Sequence, residues 1–453
     1  MNKPGLTISR ILHAGYVVEC EGTRIAFDTI FENPFSRNCH AYPEVRFDEA
    51  AIRAARFDAV FISHFHDDHC SLESLDLLAR DTPIYLYCQF DALFDMIRAL
   101  GFTRVTPLEL NVPVTLGAFQ VTPREAMDAD VDSMFQVRAA GMNVLNVVDS
   151  WIDEDTLAQL VREGPWDMVL WPFQTMRELE VLAPSRFEAA PPTLPEEWIA
   201  QLQALAPRYV VPSSCQFLQE PWSWYNRAFF PISYAQFARE VGAALPQARV
   251  LRLNPSVSVR LNEDGVQPAP PLAWVTPVGA QDVDYAYEGN AAPPPTSEIA
   301  RHFAALTAQE MARVMRYCTV ELPAKYGEVE AASEYFDVPR VWELTLHDHL
   351  GAATRLRYRL EAEAACLVDG DAGPLGWTTG LPAAKLYAAL ENGESLTSMY
   401  VRVNDAVFGA DVEAALLEVD VVDDPLIRCL FSDTFGGYQA AQLRRLLAGS
   451  APA

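Results

Sequence analysis

The chain is poor in positive charge, in histidine and in long apolar runs. Lys and Arg number 34 against 61 Asp and Glu, a formal charge of −27. That balance argues against a nucleic-acid partner, because gripping a phosphate backbone takes a basic surface. No apolar run approaches the ~20 residues of a membrane-spanning helix, and residues 1–9 show no signal-type stretch, so membrane insertion is not expected. The eight cysteines are scattered without paired spacing, which excludes a disulfide frame and reads as reduced thiols in a cytoplasmic protein. With 453 residues, half of them apolar, the chain is long enough for two or three domains with ample cores.

What histidine there is falls together. Three of the eight lie in His64-Phe-His66-Asp-Asp68-His69, directly after the apolar run 57–63. Strand alternation puts His64 and His66 on one side of the backbone as the chain leaves a buried strand. Asp68 and His69 turn with the loop, and Ser71 is placed to cap a helix over 72–79. One segment thus offers two imidazoles to one ion, and a carboxylate with an imidazole to a second. A histidine-rich surface loop is the bland reading. The scarcity of histidine elsewhere weighs against it.

This His-x-His-x-Asp-His pattern after a strand resembles the metal signature of the metallo-β-lactamase superfamily. Residues 11–19 and 22–28 read as two strands ending in Asp28, similar to the opening of that fold, where such an aspartate supports the metal loop. Residues 141–150 resemble the strand whose terminal aspartate, here Asp149, bridges two metals. The resemblance covers roughly residues 6–255 and implies a metallo-β-lactamase-like αββα sandwich. A looser likeness, on residues 125–133, 146–150 and 209–217, is to the lactonase-like branch that includes the metallo-β-lactamase-like part of CMP-N-acetylneuraminate hydroxylase. That enzyme's iron–sulfur domain needs paired Cys-x-His motifs, and Cys39-His40 is the single adjacent pair in Cys-His order here.

The chain departs from the family pattern in one respect. No histidine occurs between His69 and His302, so two of the usual ligand imidazoles are missing. By position Asp128 takes the third-histidine slot, with Glu125, Asp130 and Asp132 as rivals, and Ser214 falls where the last histidine belongs. The resemblance therefore implies His64, His66 and Asp128 on one metal, Asp68 and His69 on the other, and Asp149 between them. His40 reads as a loop histidine and His13 as a hydrogen-bonded packing residue. Carboxylate in place of imidazole hardens the site, favouring iron or manganese relative to zinc. The expected cofactor is one or two divalent ions.

Strand and helix signals alternate through residue 255, as an α/β sandwich requires. Trp222, Trp224 and Tyr225 in the aromatic stretch 217–231 are candidates for a substrate wall, or for anchoring a long loop. The expected boundaries are a metal-binding domain over 1–261, a proline-rich linker over 262–296 and a smaller α+β domain over 297–453. This last part weakly resembles sterol-carrier-type lipid-binding modules, and His347-Asp348-His349 in it reads as a solvated turn. Two enzyme functions follow. The first is a metal-dependent hydrolase of a small-molecule ester, lactone, amide or phosphoester, in which Asp68 orients water and Tyr42 or Ser214 steadies developing negative charge. The second is a non-haem di-iron oxygenase acting on an apolar substrate. A binding protein with a vestigial site is the third reading.

Overall fold

The computed structural model describes residues 4–329, 333–361, 364–370, 373–432 and 436–449. These divide into two compact units, the first drawn from 1–176, 191–288 and 442–453, the second from 177–190 and 289–441.

In the first unit, β1 (Leu6–Arg10), β2 (Tyr16–Cys20), β3 (Thr23–Phe27), β4 (Ala59–Ile62), β5 (Ile84–Leu86) and β6 (Val105–Pro107) enter one sheet. Then β7 (Val114–Leu116), β8 (Phe119–Glu125), β9 (Ser133–Ala139), β10 (Met142–Asn146), β11 (Met168–Trp171), β12 (Tyr209–Pro212) and β13 (Arg249–Val250) build a second. The chain returns to the first with β14 (Ser258–Asn262) and β15 (Gly265–Ala269). The orders are β15-β14-β1-β2-β3-β4-β5-β6 and β13-β12-β11-β10-β9-β8-β7. In each sheet one half is an antiparallel meander and the other parallel, β3 to β6 and β10 to β13.

The apolar residues that alternate along these strands explain the sandwich. Ile8, Tyr16, Val18, Ile25, Phe27 and Phe61 of one sheet share a buried cluster with Val121, Phe135, Val137, Val144, Leu170 and Val211 of the other. Every residue of β4, β10, β11 and β12 is buried, as in strands covered on both faces. Helices Asp91–Ala99, Glu154–Glu163, Glu196–Leu205 and Tyr234–Ala244 intervene between these strands. The expected αββα architecture is the one observed.

Residues 262–296 do more than link. Residues 265–269 add the edge strand β15, where Pro268 costs no ladder bond. Val275–Pro277 pairs with Val45–Phe47, and Trp274 packs against Phe31. Proline density signalled edge strands as well as extended chain.

The second unit carries a five-stranded sheet, in the order Ala364–Leu367, Ala353–Glu361, Arg340–His347, Trp377–Pro382, Arg402–Val403. Trp342, Tyr358 and Trp377 are buried in its core. The strictly alternating stretch 354–364 is split between the first two of these, and residues 362–363 lie outside the described set. Helical structure between residues 298 and 317 is interrupted. Thr307 and Glu310 form a reciprocal capping box that starts a new helix, Ala308–Arg316. Asp348 accepts from Leu350 and Ala352 N–H groups, as a turn does. No described helix is long and apolar enough to cross a membrane.

Candidate metal centre

The loops that follow the carboxyl ends of β3, β4, β10 and β12 carry Asp28, His64 to His69, Asp149 and Ser214. The turn between β1 and β2 adds His13, and the turn before β9 adds Asp132. Two groups of potential ligands result, His64 with His66 and Asp132, and His13 with Asp68, His69 and Asp149. Within each group the ligand atoms lie within 4.8 Å of one another. They adjoin, with the His64 and His69 ring centres 4.0 Å apart.

A single buried carboxylate orients two of these imidazoles. Asp28 Oδ1 accepts from the Ser63 N–H at 2.8 Å, and its Oδ2 accepts from Ser63 Oγ at 2.8 Å. With its only proton given to Asp28, Ser63 Oγ must accept from His64 Nδ1, 2.9 Å away. Asp28 Oδ2 also lies 3.1 Å from His69 Nδ1, which therefore carries a proton. His64 is left with a bare Nε2 lone pair, the form in which an imidazole binds a metal. Asp149 and Asp68, against the effect of burial, hold His69 well above its ordinary range, so that its Nε2 proton faces Asp149 and would be displaced by an ion. Ser133 Oγ donates to the Ser63 carbonyl at 2.8 Å and ties the strand end to β9.

Backbone strain gathers at the same place. His13, Asp28, Val148 and Cys215 all have positive φ, at 50°, 40°, 65° and 55°. For β-branched Val148, which directly precedes Asp149, this region is disfavoured by ~1–3 kcal/mol. Gly15 is required by its neighbours, because a Cβ there would stand 2.6 Å from the Asp28 carbonyl oxygen. That close approach brings the His13 turn against the Asp28 loop.

The electrostatics separate the groups. Burial, then the neighbouring His69 and His66, holds His64 well below its ordinary range, in the neutral form a metal requires. Burial works against charge on Asp68 and Asp149, yet facing His69 keeps both carboxyls well below the usual range. Burial and then Asp149 push Asp132 up to about 7. His69 Nε2 sits 3.0 Å from Asp149 Oδ2 and 3.7 Å from Asp68 Oδ2. His64 Nε2 lies farther from its carboxylate, 3.7 Å from Asp132 Oδ1. The centre is open on one side, with His66 exposed and Asp68, Asp132 and Asp149 each about one-fifth exposed.

The expected residues fall unevenly. Asp132, not Asp128, stands with His64 and His66. The Asp128 carbonyl accepts from the Asp132 N–H at 2.7 Å, closing a turn that leaves Asp128 exposed and brings Asp132 inward. Glu125 and Asp130 are also exposed. His13, read as a packing residue, joins the Asp68 group, with Nε2 3.1 Å from Asp68 Oδ2. Tyr42 is occupied elsewhere, donating to the Asp284 carbonyl at 2.6 Å. Ser214 is fully buried, its Oγ without a hydrogen-bond partner. Trp224 and Tyr225 are buried at 5% and 1% exposure, and Tyr225 stacks on Phe229. These two rings pack inside the protein, while Trp222 stays half-buried. All eight cysteines are free thiols, and burial pushes Cys70 up.

No family model and no curated protein matches the chain. Solved structures do. Igni18, a metallo hydrolase from the archaeon Ignicoccus hospitalis, is 16% identical over 57% of this chain and 99% of its own, at a TM-score of 0.39. CmlA, a diiron β-hydroxylase from Streptomyces venezuelae, is 17% identical over 58% of this chain and 55% of its own, at 0.40. The metallo-β-lactamase fold protein YhfI from Bacillus subtilis is 12% identical over 57% of this chain and all of its own, at 0.38. Two facing mixed sheets with a His/Asp cluster on the loops at one edge give this chain an αββα sandwich.

Proposed function

We propose that the chain is a metal-dependent hydrolase that holds two divalent ions and acts on a small-molecule ester, lactone, amide or phosphoester. The observation that carries this is the Asp28 arrangement, which orients His64 and His69 beside one carboxylate of their own loop and carboxylates from two other loops. Structural metal sites are closed, whereas catalytic ones keep an open side, as this one does. His64, His66 and Asp132 would hold the first ion, and Asp68, His69 and Asp149 the second, with Asp149 near both. When bound, the ions supply Lewis acidity and activation of water. Asp68, one-fifth exposed, accepts hydrogen bonds on the open side and orients the attacking water. Asp28 and Ser63 keep the imidazoles from turning. Ser214 Oγ supplies a buried hydroxyl with a free proton near the His13 turn.

A panel of activated esters, lactones, amides and phosphoesters, assayed with zinc, manganese and iron, tests this reading. It expects turnover with at least one class, lost in Asp68→Ala and on chelation. Metal-loaded protein inert to every class while consuming oxygen would refute it.

One observation favours the oxygenase alternative. Asp132 puts a carboxylate where an imidazole is usual, so the two groups together are rich in hard oxygen donors, which suits iron. Iron bound near two equivalents with a visible absorption band, and no hydrolysis, would establish that alternative.

A further inference from the structure

We propose that His13 is a positioning residue, a fixed N–H donor to Asp68, and not a metal ligand. The inference rests on the metal-dependent reading above. The second ion would then take one imidazole, His69, and two carboxylates, Asp68 and Asp149.

His13 stands close enough to be counted as a ligand, and the missing last histidine invites that assignment. The hydrogen bonds around its ring decide otherwise. The Cys215 backbone N–H donates to His13 Nδ1 at 3.0 Å. A nitrogen that accepts bears no proton, so in the neutral ring the proton is on Nε2. Ligation through Nε2 would move that proton to Nδ1, and two hydrogens would then face each other across 3.0 Å. The ring has no room to turn away. It is fully buried, packed against Phe35 and Phe217 with ring centres 5.5 and 6.0 Å apart, and its backbone lies at positive φ.

The contacts on the other side of the ring fit the same tautomer. His13 Nε2 lies 3.1 Å from His69 Nε2. His69 Nε2 faces the Asp149 carboxylate at 3.0 Å and donates to it, which leaves Asp68 as the acceptor for His13 Nε2–H. Asp68 Oδ2 is equally close to the same N–H, at 3.1 Å. An ion at His69 would leave this bond untouched, so the His13 N–H holds the Asp68 carboxylate in place.

The test uses the full chain loaded with cobalt(II), whose ligand imidazoles give hyperfine-shifted exchangeable proton signals. His13→Gln keeps an amide that can accept from Cys215 and donate to Asp68. We expect it to lose no imidazole signal and to bind the second equivalent within about threefold of wild type. His13→Ala should bind that equivalent about 10–100-fold more weakly, as loss of an outer-shell partner does. Loss of one imidazole signal in His13→Gln, or an affinity as poor as that of His13→Ala, would overturn the inference while leaving the metal-dependent reading intact. Should either variant fail to fold, the wild-type spectrum decides: a fourth imidazole signal overturns the inference. Failure to bind cobalt at all would overturn both.

Discussion

The two ligand groups share one loop, yet they differ in how much of their polarity is already spent. In the first, His64 and His66 meet at 4.5 Å between ring centres, and the nearest carboxylate oxygen stands 3.7 Å from His64 Nε2. In the second, His69 Nε2 has Asp149 at 3.0 Å and His13 at 3.1 Å, and His13 has Asp68 at 3.1 Å. The first group is spaced for an ion, while the second is satisfied within itself. An ion entering the second must displace contacts that an ion entering the first need not. The general lesson is that a cluster's ligand count says less about affinity than the bonds an ion has to replace. We therefore expect stepwise loading, with the His64 position filling first.

Breaking that asymmetry gives the largest expected effect. Asp149→Ala removes the carboxylate nearest His69 and adjacent to both groups. It should cost the second equivalent outright and weaken the first, with turnover falling by more than about 100-fold, beyond the 10–100-fold range of outer-shell losses. Calorimetric metal titration together with kcat checks this.

Asp28→Asn should come next. An amide cannot accept from Ser63 Oγ, Ser63 N and His69 Nδ1 together, so both imidazoles lose their fixed tautomer. Affinity for both equivalents should fall about 10–100-fold, and the loss of buried charged hydrogen bonds should cost ~1.5–3 kcal/mol in denaturant unfolding of the metal-free protein. A variant that loses affinity at one position only would show that Asp28 does not couple the groups.

A pair of variants sharpens the boundary of the first group. Asp132→Ala should weaken the first equivalent about tenfold or more, comparable at least to an outer-shell loss. Asp128→Ala, on an exposed side chain in the same turn, should leave it unchanged. The reverse ranking would restore the assignment read from position alone.

The smallest expected effect on binding is that of Trp224→Ala. Truncating this buried ring should cost ~3–5 kcal/mol of stability, with metal stoichiometry retained in the folded protein. A selective loss of substrate binding without destabilisation would return the ring to the substrate wall.

These contrasts follow how much could be read from residue order. The sandwich was legible because apolar alternation and the 57–63 strand are local signals. His64 to His69 was legible because six consecutive residues carry it. Asp149 followed from the strand that ends just before it. Asp132 was not separable from Asp128, since both lie in one acidic turn and only the 128-to-132 hydrogen bond decides which faces inward. His13 was read as a hydrogen-bonded packing residue, but its partners were not legible because they include Cys215, 202 residues away, presenting a backbone amide. Long-range backbone donors leave no trace in side-chain identity. The aromatic stretch misled for a related reason: composition shows that rings are present, not whether a ligand or the protein itself covers them.

The central claim is that the His/Asp edge holds two ions, and metal content of the full chain tests it most directly. Protein titrated with manganese, zinc or iron should bind two equivalents in two resolvable steps, and Asp149→Ala at most one. Stoichiometry near zero for wild type with all three metals, or binding that survives unchanged in Asp149→Ala, would contradict it.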